Sequence, residues 1–265
     1  MGRDVTAKEY TRTDHTRYRN AVRRCLDTLE QMLDAKSFVE EEWRTGVEIE
    51  LNLVDEDMGP SMNNDVVLEH IDDPNYTTEL GKFTIELNVE PRRIDGQSLL
   101  TLESAVRRNL NRARDRAGDH GADIATIGIL PTLEPPATGA DWMTPNARYR
   151  QLDAAVLRAR REDIELDITG AEQLRMTSDS IAVEAACTSV QLHLQVSPER
   201  FADYWNAAQV LAGPQLTLGA NSPFLFGRQL WAETRTELFL QGTDARSAEL
   251  RNQGVRPLVP FGDRW

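Results

Sequence analysis

Three segments of the chain alternate apolar and polar side chains with a period of two, at residues 47–54, 82–89 and within 183–196. Such alternation is typical of a strand with one face on a core and one polar face. Strands of a parallel sheet that is covered by helices on both sides are instead apolar throughout. The pattern therefore predicts an α+β protein with an antiparallel sheet rather than a doubly wound fold.

The segments around these strands predict helices and loops. An amphipathic helix over 7–37 has one apolar face, so we expect it to pack against another element. Pro91 is expected to end the second alternating strand, and 219–227 is expected to be a turn-rich loop. The other predicted elements are helices over 65–71, 98–120, 148–161 and 198–212 and strands over 122–130 and 164–168.

Length and charge narrow the classes of function. With 265 residues and 40% apolar content, the chain is long enough for a substantial core. A formal net charge of -13 argues against nucleic acid as a partner, and no run of about 20 apolar residues predicts a membrane span. The N-terminus does not resemble a signal peptide, so we expect a cytoplasmic protein. Cys25 and Cys187 are expected to be buried thiols without a disulfide.

The polar faces of the alternating segments are rich in carboxylates. Glu48 and Glu50 are two residues apart, so they project from the same face of the first strand about 7 Å apart. The second strand adds Glu86, and the third adds His193. Facing carboxylates repel unless something neutralises them, and Mg²⁺ or Mn²⁺ prefers oxygen ligands. A metal site and an ordinary solvated sheet face both remain open, because the sequence does not show which strands are neighbours.

Four segments share their order and much of their sequence with a known family. They are Gly-Val-Glu-Ile-Glu-Leu (46–51), Thr-Glu-Leu-Gly-Lys-Phe-Thr-Ile-Glu-Leu-Asn-Val-Glu-Pro (78–91), Thr-Ser-Val-Gln-Leu-His-Leu-Gln-Val (188–196) and Gly-Ala-Asn-Ser-Pro-Phe-Leu-Phe-Gly (219–227). Together these segments resemble the glutamate-cysteine ligase family, whose members are carboxylate-amine ligases related in fold to glutamine synthetase. The resemblance implies a catalytic domain with a curved antiparallel sheet flanked by helices.

The same resemblance implies an activity in glutathione biosynthesis. In this family ATP phosphorylates the γ-carboxylate of glutamate, and the cysteine amine attacks the resulting acyl phosphate. Two or three Mg²⁺ (or Mn²⁺) ions lie between nucleotide and glutamate and act electrostatically. The implied partners are therefore small molecules, namely glutamate, an amine such as cysteine, and ATP as co-substrate.

The resemblance also carries roles onto particular residues. It implies that Glu48, Glu50, Glu79, Glu86 and His193 bind metal, and that Glu86 and His193 also contact the nucleotide. It implies a polar substrate contact for Gln195. Arg235 is expected to bind a substrate carboxylate, because guanidinium groups bind carboxylates in a bidentate manner; the alternative is a surface arginine on a helix.

One departure from the family leaves alternatives open. The family's catalytic domain continues past the position of Trp265, so residues 1–265 are expected to be a single domain that matches its N-terminal portion. The chain is then a ligase, a split subunit whose partner supplies the C-terminal half, or a truncated, non-catalytic module that binds metal and glutamate; a homo-oligomer also remains open. A metal-dependent hydrolase is disfavoured, because the four histidines are scattered along the sequence.

Overall fold

A computed structural model describes residues 10–39 and 42–256. The strands are β1 (Arg44–Val54), β2 (Tyr76–Thr78), β3 (Thr84–Arg93), β4 (Asp123–Ala125), β5 (Ile164–Thr169), β6 (Gln173–Ser178), β7 (Val190–Leu194), β8 (Phe224–Leu225) and β9 (Arg228–Gln229). The helices are α1 (Arg12–Asp34), α2 (Asn64–Ile71), α3 (Ser98–Gly118), α4 (Gly139–Trp142), α5 (Ala147–Arg160), α6 (Phe201–Gly219), α7 (Arg235–Gly242) and α8 (Ala248–Asn252). Two 3₁₀ helices span Ile181–Ala186 and Pro198–Arg200.

The main sheet has five strands and is antiparallel throughout, as the alternating pattern predicted. Its order is β2-β3-β1-β4, and β7 pairs with β1 beside β4. β4 pairs with the C-terminal end of β1, whereas β7 pairs with the N-terminal half. Two further hairpins, β5-β6 and β8-β9, lie outside this sheet.

Helices α2 and α3 cover one face of the main sheet, which confirms the α+β class. The apolar residues Leu51, Leu53, Ile85 and Leu87 of β1 and β3 are fully buried in the core that these helices close. A second core forms around the β5-β6 hairpin and the 3₁₀ helix at Ile181–Ala186. The carboxylates of the alternating strands point to the opposite, polar face, because successive side chains of a strand alternate between faces.

The prediction that α1 packs against another element is wrong for the described residues. No residue of α1 is buried, and Tyr18 is 70% exposed. Cys25 is also exposed, in contrast to the expected buried thiol, whereas Cys187 is half-buried, and both thiols are free. Residues 7–9 of the predicted helix lie outside the described residues. None of the described helices is both long and apolar enough to cross a membrane.

Three predicted strand boundaries are wrong. The apolar run after Ile181 forms a 3₁₀ helix that ends at Ala186, so the strand predicted over 183–196 is limited to β7. A short buried apolar run does not distinguish helix from strand. The strand predicted over 122–130 is limited to β4. Pro91 does not end β3, because the register shifts between Thr45 and Val47 and a β-bulge accommodates the missing N–H.

Candidate functional site

Three glutamates from β1, β3 and the segment after β2 come together on the polar face of the sheet. Glu50 of β1 lies directly opposite Glu86 of β3, and Glu79 follows β2, which pairs with β3 at Thr77 and Glu86. One carboxylate oxygen from each of the three glutamates lies within 4.8 Å of the other two. We refer to Glu50, Glu79 and Glu86 as the carboxylate triad.

Each member of the triad accepts a hydrogen bond from an amide group, which orients it. The backbone N–H of Ser189 donates to Oε2 of Glu50 at 2.7 Å. Asn88 Nδ2 donates to Oε1 of Glu86 at 2.8 Å, and the N–H of Leu80 donates to Glu79 at 3.1 Å. Among residues 10–39 and 42–256, no Lys or Arg side chain forms an ion pair with the triad. The triad therefore has hydrogen-bond donors that orient it, but the described part of the chain supplies no cation that neutralises it.

Burial and mutual repulsion raise the pKa values of Glu79 and Glu50. Burial, followed by the charges of Glu50 and Glu86, raises the pKa of Glu79 to about 8. Burial is also the main reason that the pKa of Glu50 rises to about 7, although the N–H of Ser189 opposes this rise. At neutral pH such groups hold a proton unless a cation replaces it. A cation that binds these carboxylates would displace their protons, so its affinity would rise with pH.

A fourth carboxyl group, that of Glu184, borders the same space and was missed by the sequence analysis. A cavity of about 20 Å³ is lined by Glu50, Glu79 and Glu184, together with Thr84, Cys187 and Thr188. Burial and the charge of Glu79 raise the pKa of Glu184 to about 7. The available signal was a single glutamate within the apolar run Ile181–Ala186, which an ordinary core segment would not contain.

Glu48 and His193 form a pair beside the triad. Glu48 lies opposite Asn88 on one side and Gln191 on the other, on the same face of β1 as Glu50. His193 Nε2 is 3.4 Å from Glu48 Oε2, and the imidazole is 54% exposed. The structure therefore brings four of the five predicted metal ligands onto three neighbouring strands, β3, β1 and β7, with Glu79 beside them. Glu48 and His193 do not share the close spacing of the triad.

Gln195 and Arg235, which are expected to contact substrate, have different surroundings. Gln195 follows β7, and its backbone N–H donates to the carbonyl of Arg44. Arg235 begins α7, and its guanidinium already binds the carboxylate of Glu233 and the carbonyl oxygens of Thr188 and Gly219. A substrate carboxylate would have to replace Glu233 to bind Arg235 in the predicted bidentate manner.

The donor set of the triad fits a hard divalent cation. Mg²⁺ takes oxygen ligands at about 2.1 Å, so ligands on opposite sides of the ion are about 4 Å apart. Three ligands of one ion include adjacent pairs about 3 Å apart, so the triad oxygens, which lie within 4.8 Å of one another, would move closer together around the ion. The triad would then supply three ligands, and water or phosphate oxygens would complete the octahedron.

Comparisons with known proteins point to one family. The sequence profile of glutamate-cysteine ligase family 2 matches residues 44–253. No match was found among curated proteins. Among solved structures, the chain is similar to glutamate-cysteine ligase from Francisella tularensis in complex with AMP, with 11% identity and a TM-score of 0.34. That alignment covers 67% of this chain and 30% of the other, so the chain spans about 30% of the length of that enzyme.

Proposed function

Because the chain belongs to glutamate-cysteine ligase family 2, we propose that it takes part in the ATP-dependent joining of glutamate to an amine. The acyl donor in this proposal is the γ-carboxylate of glutamate, and the acceptor is the amine of cysteine. The carboxylate triad is the observation that carries the proposal, since its three oxygens lie within 4.8 Å of one another and no Lys or Arg among the described residues forms an ion pair with them. A ligase that handles a triphosphate needs such a cation site.

The chemistry proceeds in two balanced steps. An oxygen of the γ-carboxylate attacks the γ-phosphorus of ATP, and the bond from that phosphorus to the β,γ-bridging oxygen breaks as ADP leaves. The neutral amine nitrogen then attacks the acyl carbon, the bond from this carbon to the phosphate oxygen breaks, and the nitrogen loses its extra proton to solvent as phosphate leaves. When bound, a divalent cation screens the triphosphate and stabilises charge on the transferring phosphoryl group. The protein residues bind and orient the reactants and supply no covalent intermediate.

The residues of the polar sheet face have separate tasks in this proposal. Glu50, Glu79 and Glu86 would hold one cation, either Mg²⁺ or Mn²⁺. Glu48 and His193 offer two further ligand atoms 3.4 Å apart, which would suit a second cation that neutralises phosphate charge. The position of Gln195, just beyond β7 and two residues from His193, suits a polar contact to substrate.

Turnover measured by ADP release tests the proposal. We expect ADP release that requires glutamate, cysteine and Mg²⁺ together. The variant Glu79→Gln should lower the rate about 100-fold, because loss of a cation ligand removes several kcal/mol of charge stabilisation. Glu90→Gln is the matched control, since Glu90 is an exposed carboxylate on β3. ADP release that needs no glutamate, or that Glu79→Gln leaves unchanged, would contradict the proposal.

A second candidate is a non-catalytic module that binds a cation and glutamate but not ATP. The observation in its favour is the lining of the cavity beside the triad, which among the described residues contains three glutamates and no Lys or Arg. Calorimetry would then detect Mn²⁺ binding that Glu50→Gln abolishes, with no heat from ATP in the presence of Mn²⁺. Tight binding of ATP would exclude this candidate.

A further inference from the structure

The guanidinium of Arg235 is engaged almost completely by the protein itself. Nε and Nη2 donate to the two carboxylate oxygens of Glu233, the latter at 2.8 Å. Nη1 donates to the carbonyl of Thr188 at 2.7 Å, and Nη2 also donates to the carbonyl of Gly219 at 3.0 Å. Four of the five N–H groups are thus in use. A bidentate arginine that is only 20% exposed is held in one orientation.

The peptide group between Thr188 and Ser189 connects Arg235 to the carboxylate triad. The carbonyl of this peptide accepts the bond from Arg235, and its N–H donates to Glu50 Oε2 at 2.7 Å. Carbonyl and N–H lie in one rigid plane, so fixing the oxygen also fixes the direction of the N–H. A charged donor on the carbonyl also polarises the peptide and strengthens the bond at its other end.

Other bonds hold this peptide against β1. The carbonyl of Ser189 accepts from the N–H of Glu50 at 3.0 Å. The backbone of Ser189 therefore bonds to both the backbone and the side chain of Glu50. The N–H of Thr188 donates to the carbonyl of Gly128 at 2.9 Å. The N–H of Gly128 in turn donates to Asn221 Oδ1 at 3.1 Å. The turn at 221–223 therefore supports the same backbone that Arg235 binds.

We propose that Arg235 is a positioning residue, which orients Glu50 for cation binding through the Thr188–Ser189 peptide. This inference rests on the proposed function, because it takes the carboxylate triad as a cation site. It replaces direct binding of a substrate carboxylate by Arg235 with action through a backbone amide. Groups that orient a metal ligand in this way typically change metal affinity about 10-fold to 100-fold when they are removed.

The affinity for Mn²⁺, measured by calorimetry, tests the proposal. Arg235→Met should weaken Mn²⁺ binding by about 10-fold or more, and Arg235→Lys should restore part of the loss, because lysine can still donate to the Thr188 carbonyl. Arg246→Met is the matched control: Arg246 is also 20% exposed and is paired with Asp244. Equal Mn²⁺ affinities of Arg235→Met and Arg246→Met would overturn the proposal, as would a raised KM for glutamate with unchanged Mn²⁺ affinity.

A second measurement does not depend on a bound cation. The amide proton of Ser189 should resonate downfield in the metal-free protein, because its N–H donates to a carboxylate, and should move upfield in Arg235→Met but not in Arg246→Met. If Arg235→Met does not fold, Glu233→Gln keeps the side-chain volume and should produce a smaller shift in the same direction. An unchanged chemical shift of the Ser189 amide proton in both variants would overturn the proposed connection between Arg235 and Glu50.

The two proposals fail in different ways. If the wild-type protein binds no Mn²⁺, or if Glu79→Gln leaves binding intact, the proposal of a cation site at the triad is wrong. The chemical shift of the Ser189 amide proton still tests whether Arg235 acts on Glu50. If Glu79→Gln abolishes binding but Arg235→Met resembles Arg246→Met, the cation site stands and only the positioning role of Arg235 is overturned.

Discussion

Glu50 and Glu86 lie directly opposite each other on adjacent antiparallel strands, with Glu79 beside them. Two like charges at such a position destabilise a sheet by up to about 1 kcal/mol. The amides of Asn88 and Ser189 fix the two carboxylates in place rather than letting them turn apart. The sheet therefore preserves a local repulsion that only a proton or a cation relieves.

We expect Glu86→Gln to stabilise the metal-free protein and to abolish its stabilisation by metal. Glutamine keeps the oxygen that accepts from Asn88 but removes the charge opposite Glu50. With EDTA at pH 8, Tm should rise by about 3 °C, which corresponds to about 1 kcal/mol for a chain of this size. With Mn²⁺, the wild-type Tm should rise and that of Glu86→Gln should not.

Glu90→Gln serves as the control for this change, because Glu90 is an exposed carboxylate on the same strand. Its Tm should remain that of the wild-type protein in EDTA, and its response to Mn²⁺ should be retained. A lower Tm for Glu86→Gln in EDTA would show that Glu50 and Glu86 do not repel each other in the folded protein.

The raised pKa values predict that the metal-free protein loses stability as the pH rises. Glu50, Glu79 and Glu184 have pKa values of about 7, 8 and 7 in the folded protein, against 4.5 when unfolded. The folded state therefore binds these protons more tightly, so the contribution of these three groups to stability is complete below about pH 4.5 and is lost as the pH rises to about 8. Carboxyls with lowered pKa values, such as that of Asp123, titrate below this window.

Urea denaturation at pH 5.5 and pH 8.5 measures this effect. In EDTA the free energy of unfolding should fall by a few kcal/mol between the two values. Saturating Mn²⁺ should remove or reverse the fall, because the cation binds the deprotonated carboxylates. Glu79→Gln should make the pH dependence shallower. A free energy of unfolding that increases from pH 5.5 to pH 8.5 in EDTA would rule out the raised pKa values.

The sequence predicted the part of the candidate site that lies on strands whose apolar and polar side chains alternate. Alternation placed Glu48 and Glu50 on one face of β1 and Glu86 on the polar face of β3, and the structure has both strands antiparallel and adjacent. The register that sets Glu50 against Glu86 could not be predicted, because strand pairing depends on contacts distant in the sequence.

The rest of the site depends on tertiary contacts that leave no periodic signal. Glu184 lies in a 3₁₀ helix within a buried apolar run, which periodicity does not distinguish from a strand. The partners of Arg235 come from Glu233 and from the backbone of Thr188 and Gly219, and backbone acceptors cannot be read from residue types. The sequence therefore predicted a guanidinium near substrate, but not that the protein itself binds it.

The variant His193→Gln tests whether the pair of Glu48 and His193 binds a different cation from the carboxylate triad. Because His193 lies beside Glu48 and outside the close spacing of the triad, we expect the affinity for Mn²⁺ alone to change less than about twofold. The affinity for Mn²⁺ with a non-hydrolysable ATP analogue should fall about 10-fold, since the imidazole would bind the second cation. Calorimetry with and without the analogue measures both values.

His70→Gln is the matched control, because His70 is an exposed histidine at the C-terminal end of α2. Both affinities should match those of the wild-type protein. If His193→Gln instead weakens binding of Mn²⁺ alone as strongly as Glu79→Gln does, His193 belongs to the same cation site as the triad.

Gly128→Ala should be destabilising, because no space exists for a side chain between the backbone and Arg235. A Cβ at this position would lie 2.5 Å from Asn221 Oδ1 and 2.7 Å from Cζ of Arg235. Overpacking of this kind costs about 1–3 kcal/mol, so Tm should fall by several degrees. If displacement of the guanidinium also releases the Thr188–Ser189 peptide, Mn²⁺ affinity should fall with it, although Gly128 is not a predicted cation ligand.

Gly118→Ala distinguishes this steric effect from the general effect of replacing glycine. Gly118 ends α3, and a Cβ there has no atom within 4 Å. Alanine in a helix is more favourable than glycine by about 0.5–1 kcal/mol, so this variant should be as stable as the wild-type protein or more so. Thermal denaturation and Mn²⁺ calorimetry of both variants separate stability from cation binding. A Gly128→Ala protein with wild-type Tm and Mn²⁺ affinity would show that the guanidinium of Arg235 is not held in the position described.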